Sequence, residues 1–252
     1  MPSSSPPVAL RTSATRADGA GLERICGVTF SLADLPALLD PRGLHFQRLE
    51  WLGDSILDAL LAQHLRPCPS CCAGRGLDDL CSDVVLAARA KRAGLPHALD
   101  WQPSSGRLAD LVEALVGAAW LLGPAAALRV ASTVVHPGLT LDPVTAIPAP
   151  SNSCVGLEPD ARLGSAVLEA AAALLLLRAQ PDSDEGRLST SRNRLLTGSR
   201  LVASSRRQGL LGSCTGRAHL LDHVQAAVGL VSATQGLAAG MELATTILRA
   251  AR

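Results

Sequence analysis

Two short stretches of this chain each carry a pair of acids one helical turn apart among apolar residues. The first runs Gln47-Arg48-Leu49-Glu50-Trp51-Leu52-Gly53-Asp54-Ser55-Ile56-Leu57, the second Leu108-Ala109-Asp110-Leu111-Val112-Glu113-Ala114-Leu115-Val116-Gly117-Ala118. The i,i+4 spacing of Glu50 and Asp54 and the i,i+3 spacing of Asp110 and Glu113 put each pair on one face of a helix. An ionised carboxylate in apolar surroundings is costly unless it is paired or bound to metal. Four converging carboxylates suit a hard divalent cation such as Mg²⁺, with Mn²⁺ as a substitute. The competing reading is a solvated acidic helix face, and the apolar flanks of Asp110 and Glu113 weigh against it.

The elements that must position these acids are helical. The chain has 252 residues, enough for one large domain or two small ones. Apolar residues make up 48%, but there are only three Trp, two Phe and no Tyr. Ala and Leu must therefore fill the core, which favours close-packed helices. The formal net charge of +1 excludes a strongly basic nucleic-acid binder, so any grip on RNA has to be local or borrowed. The run Ala170-Ala171-Ala172-Ala173-Leu174-Leu175-Leu176-Leu177 is too short to span a bilayer and fits a buried helix, so no membrane partner is expected.

Residues 1–22 are rich in Ser, Pro, Thr and Ala, lack an apolar core, and read as a disordered leader. Arg11 and Arg16, with only Asp18 acidic, keep a transit-peptide reading beside it. Seven cysteines without a secretory signal read as reduced thiols, and an intracellular, simplest cytoplasmic, location is expected, with an organelle or the nucleus as alternatives. Cys68 and Cys71 have metal-ligand spacing and His64 lies four residues upstream. A second Cys-x-x-Cys pair is missing, so zinc at Cys68/Cys71 is not expected.

Helical periodicity is clear at 49–65, 77–94 and 108–122. A polar stretch with Pro137, Pro143, Pro148, Pro150 and Pro159 follows and reads as a linker over 137–159. Beyond it the pattern returns. Leu163-Gly164-Ser165-Ala166-Val167-Leu168 parallels Leu52–Leu57 at an offset of 111, and Asp222-His223-Val224-Gln225-Ala226-Ala227-Val228-Gly229 parallels Asp110–Gly117 at 112. Between them, 188–209 matches 77–94 as an amphipathic helix pair ending in Gly-Leu. Near-constant offsets argue for a duplicated domain. In the second copy Glu50 becomes Ala161, Asp54 becomes Ser165 and Glu113 becomes Gln225, while Asp110 keeps its acid as Asp222. The first copy can hold a cation; the second, with one carboxylate of four, is expected not to.

These residues resemble ribonuclease III. The family signature, roughly Glu-Arg-Leu-Glu-Phe-Leu-Gly-Asp-[Ser/Ala]-[Val/Ile]-Leu, is similar to Gln47–Leu57, and its Leu-Ala-Asp-x-x-Glu-Ala-Leu-[Ile/Val]-Gly-Ala is matched in full by Leu108–Ala118. Gln47 departs from the bacterial pattern and is similar to the second domains of Dicer-type enzymes. Gly27-Val28-Thr29-Phe30 resembles the family's first helix region with its Gly-Tyr-x-Phe. In the second copy Pro181-Asp182-Ser183-Asp184-Glu185-Gly186-Arg187-Leu188-Ser189 resembles the family's Phe-Pro-x-x-Asp-Glu-Gly-x-Leu-Ser. The resemblance covers most of residues 23–252 and is most specific in the first copy.

The resemblance implies an all-α fold of two tandem ribonuclease III-type domains, 23–136 and 160–252, forming an intramolecular pseudo-dimer around a valley for double-stranded RNA. It implies Glu50, Asp54, Asp110 and Glu113 as metal-binding and catalytic, one site per chain, and products with 5′-phosphate and 3′-hydroxyl ends. Gln47 and Glu185 are accessory candidates. Glu185, in the Asp-Glu-Gly segment of the degenerate copy, is expected either to serve the site of the first copy or to be a plain exposed acid. The basic concentration of Arg187, Arg192, Arg194, Arg200, Arg206 and Arg207 is an RNA-phosphate candidate or a solvated surface. With no recognisable double-stranded-RNA-binding domain, a second chain or an RNA-binding subunit is the expected partner. The alternative is a non-catalytic ribonuclease III-fold scaffold in an RNA–protein complex.

Overall fold

The computed structural model describes residues 11–31, 34–65, 78–99, 103–139, 158–211 and 220–251, and these are all-helical. In chain order the helices are α1 (Arg11–Cys26), α2 (Asp34–Leu38), α3 (Leu44–Leu65), α4 (Asp78–Cys81), α5 (Asp83–Arg92), α6 (Ser105–Leu122) and α7 (Pro124–Val134). They continue with α8 (Glu158–Ala179), α9 (Glu185–Leu195), α10 (Gly198–Arg207), α11 (Leu220–Gln235) and α12 (Leu237–Ala250). No helix among the described residues is long and apolar enough to cross a membrane. Cys68, Cys71, Cys72 and most of the 137–159 stretch lie outside the described residues.

The two longest helices, α3 and α8, lie side by side at the centre of the fold. Each is crossed by a second apolar helix, α6 on α3 and α11 on α8, and each crossing helix carries the next one on its flank, α7 on α6 and α12 on α11. The core they share is mostly Leu, Ala and Val, including fully buried Leu52, Ile56, Leu60, Leu111, Leu115, Leu163, Val167 and Val228. Scarce aromatics leave little bulk to hold helices apart, so small residues set the spacing and backbones approach closely.

Helix ends follow local chemistry. Ser104 caps α6 by accepting from Arg107 N at 3.3 Å, and Asp184 caps α9 by accepting from Arg187 N at 2.8 Å. Both α5 and α10 are followed by a left-handed glycine, Gly94 (φ +83°) and Gly209 (φ +71°), whose amides bond back to Lys91 O and Arg206 O. The stretch read as an amphipathic helix pair over 77–94 forms α4 and α5, which meet at Ser82.

The N-terminal segment departs from the leader reading. From Arg11 onward it is helical, and Leu22 and Cys26, four residues apart, are fully buried. Gly21 passes so close to Ala98 that a Cβ placed on it would lie 2.9 Å from the Ala98 Cβ. Composition alone hides this, because Ser and Thr mask one apolar stripe that a neighbouring surface can bury. Burial pushes the Cys26 thiol up to about 12, so it is an inert core group rather than a reactive one.

Candidate functional site

The acidic residues are brought together by a glycine crossing. A Cβ built on Gly53 of α3 would overlap the Glu113 carbonyl and stand 2.8 Å from the Gly117 nitrogen. One built on Gly117 of α6 would overlap the Leu49 carbonyl. Only glycine at both positions permits this approach. Because Gly53 stands beside Asp54 and its backbone neighbour is Glu113 itself, the crossing converges the two acid pairs.

Electrostatics record the convergence. Glu113 is half-buried and pushed up to about 9, by burial first and then by the charges of Asp54, Glu50, Asp110 and Asp83. Glu50 is pushed up to about 7 by burial, then by Asp110 and Glu185, with Arg107 opposing. Asp54 presents an exposed side chain, yet the protein around its carboxyl raises it, against the opposing charge of Arg192 and with Asp83 adding. Asp110 is raised by burial while Arg107, 3.5 Å away, pulls it back. Among the described residues no group of three or more His, Cys, Asp or Glu side chains is placed to hold a metal ion as oriented here. By chemistry, the donor set is oxygen-only and mutually repelling, which fits a hard divalent cation.

The second crossing repeats the geometry without the acids. A Cβ on Gly164 would overlap the Gln225 carbonyl, and one on Gly229 the Asp160 carbonyl. Ser165 and Gln225, which stand where Asp54 and Glu113 stand in the first crossing, bond to each other at 3.3 Å. They line a cavity of about 310 Å³ with Glu169, Arg192 and Asn193. Glu169 is raised by burial, with Arg192 opposing and Asp54 adding, so this cavity lies next to the acidic centre.

Three side chains of α3 bind the second half to the site. Arg48, buried at 5% exposure, donates to the carbonyls of Leu177 (2.8 Å), Gln180 (2.7 Å) and Ser183 (2.8 Å), closing the C-terminal end of α8. Trp51 Nε1 donates to Ser189 Oγ at 2.9 Å. Ser55 Oγ accepts from Arg192 Nη1 at 2.9 Å.

Among the accessory candidates, Gln47 is half-buried on α3 one turn before Glu50. Glu185 is exposed, and its charge is one of those acting on Glu50. Arg187, Arg194, Arg200, Arg206 and Arg207 are exposed, whereas Arg192 is half-buried and donates to Ser55. The sequence reading missed two acids. Asp83, the first residue of α5, acts by charge on Asp54, Asp110 and Glu113, and no motif marks it. Glu169 was legible as a lone acid in the apolar run of α8. No protein-family model matches the chain, and no curated protein matches it either.

Proposed function

We propose that this protein is a metal-dependent endoribonuclease of ribonuclease III type that cleaves double-stranded RNA, leaving 5′-phosphate and 3′-hydroxyl ends. The observation that carries the reading is the quartet Glu50, Asp54, Asp110 and Glu113 on the two helices that cross at Gly53 and Gly117, with Glu113 raised by burial and by the charges of the other three. Residues 23–136 form the catalytic domain, 137–159 a linker and 160–252 a degenerate domain, the two domains making an intramolecular pseudo-dimer. Recurrence of the glycine crossing at Gly164 and Gly229 supports the pairing.

The four carboxylates would hold Mg²⁺ or Mn²⁺. A bound divalent ion supplies a more acidic water and charge neutralisation at the phosphorus and the leaving 3′-oxygen. The chain's own groups do the rest. Glu113, pushed up to about 9, carries a proton at neutral pH that it must release on binding a cation. Arg107 holds Asp110 by its ion pair until that competition arises. Glu185, exposed at the start of α9, would serve the centre from the degenerate domain, and its charge bears on Glu50. The exposed arginines of α9 and α10 offer salt-sensitive contacts to phosphates. One site per chain nicks one strand; cutting both takes a second chain or another nuclease domain.

The second reading is a scaffold subunit of an RNA–protein complex. The Asp110–Arg107 ion pair, and carboxylates not oriented around a common point, favour it. Cleavage of an end-labelled RNA duplex in Mg²⁺, wild type beside Glu113→Gln, separates the two. Cutting by the wild type that the variant loses supports the nuclease. Clean binding with no cutting by either supports the scaffold.

A further inference from the structure

We propose that Arg192, a residue of the half without the acidic quartet, is the positioning residue of the quartet in the other half; this rests on the nuclease reading above. Arg192 grips α3 at two points, and each is the residue that directly follows an acid. Its Nη1 donates 2.9 Å to the hydroxyl of Ser55, which follows Asp54. Its guanidinium lies 5.4 Å from the ring centroid of Trp51, which follows Glu50. Ser55 is 2% exposed, so the bond is made where water cannot replace it.

The arginine is held from behind as well. Ser189, one turn earlier on α9, accepts from Trp51 Nε1 at 2.9 Å, so two neighbouring positions of one face of α9 dock on Trp51 and Ser55. On its far side Arg192 lines the second-half cavity with Glu169. It therefore stands between an acid of each half, with its charge felt by both Asp54 and Glu169. Its neighbours Arg187, Arg194 and Arg200 all face solvent, which sets Arg192 apart from a surface role. A flat, always-charged fork can bond a hydroxyl and lie over an indole at once; the single ammonium of lysine cannot do both equally.

The consequence is a fixed orientation of the Glu50–Ser55 turn, held by the bond to Ser55 and the contact with Trp51. Groups that orient ligands without touching the ion affect affinity and rate by about 10- to 100-fold when removed. The degenerate half is then more than a filler of the fold, because it completes the first half's site with a group that the first half lacks.

The test uses the full chain with Mn²⁺ as the probe. Free Mn²⁺ is followed by electron paramagnetic resonance, duplex cleavage by steady-state kinetics, and folding by Tm. Arg192→Gln is expected to weaken Mn²⁺ binding and to lower kcat about 10- to 100-fold, with KM for the duplex little changed. Arg192→Lys recovers part of both losses, because an ammonium can still donate to the Ser55 hydroxyl but cannot also lie flat over Trp51. Ser55→Ala, a milder change, shifts both in the same direction by less. Ser189→Ala, which removes only the Trp51 bond, also shifts both in the same direction by less than Arg192→Gln. Wild-type Mn²⁺ affinity and kcat in Arg192→Gln overturn the proposal while the nuclease reading stands. So does a loss in Arg192→Gln that merely tracks its Tm, with no recovery in Arg192→Lys. A wild type that neither binds Mn²⁺ nor cuts overturns the nuclease reading first, and this role with it.

Discussion

The α3–α6 and α8–α11 crossings are built alike and charged differently. In both, paired glycines let one backbone lie against the other, Gly53 with Gly117 and Gly164 with Gly229. In the first, the residues beside that contact are Asp54 and Glu113, and Glu113 is raised by burial and then by the charge of Asp54. In the second they are Ser165 and Gln225, which bond to one another. The packing requirement and the chemical content of the crossing are thus separable. Glycine is demanded by backbone distance at either place. The carboxylates are demanded by neither, and they cost stability wherever they stand together. A site that is destabilising and still present in one crossing only is where function is expected.

The sharpest way to break the comparison is to exchange the chemistry. Glu113→Gln is expected to lower the initial rate of duplex cleavage by a factor on the order of 10³, several kcal/mol of transition-state stabilisation. Gln225→Ala at the matching position should leave the rate within a few-fold; an equal loss in both would mean that the halves do not differ in role. Next in size is the shared packing. Gly53→Ala and Gly164→Ala should each destabilise the fold by about 3 kcal/mol in urea unfolding, since a methyl group has no room against a carbonyl. A large loss at one crossing only would deny their likeness.

The joint between the halves comes third. Arg48→Ala strips the donors from three carbonyls at the end of α8 and should cost about 2 kcal/mol, read from the same unfolding curves. The smallest effect is on pH dependence. Glu50 and Glu113 are raised to about 7 and about 9 from an ordinary value of 4.5, so the folded chain holds protons that the unfolded chain has released. Their contribution to stability is therefore fullest at low pH and is lost as pH rises from about 5 through about 9. Tm should fall across that window by a few degrees, about 2–4 °C per kcal/mol for a chain of this size. Glu113→Gln should flatten the fall and raise Tm at pH 8, and Mg²⁺ should do the same by offsetting the repulsion. No change on substituting Gln225 would complete the contrast.

Much of this was legible from residue spacing. Apolar periodicity located α3, the α4–α5 pair and α6, because a buried stripe repeats with the turn of the helix wherever a core is to be covered, while the internal repeat pointed to α9–α10 and the Ala/Leu run to α8. The acid pairs at 50/54 and 110/113, and their loss at 161, 165 and 225, could be read directly, since i,i+3 and i,i+4 fix a shared face without reference to any partner. The helix from Arg11 could not, because its apolar stripe is short and gains meaning only from the surface around Ala98 that buries it. Asp83 joined the acidic neighbourhood from a different helix, and nothing in its sequence surroundings marks it. Arg192 read as one of a row of surface arginines; only the docking of α9 on α3 turned it inward, onto Trp51 and Ser55. Local sequence determined which residues share a helix face; that Gly53, Gly117, Gly164 and Gly229 have to be glycine follows only from the crossings. Tertiary packing alone decided which faces meet, because that depends on contacts more than a hundred residues apart that no local period encodes.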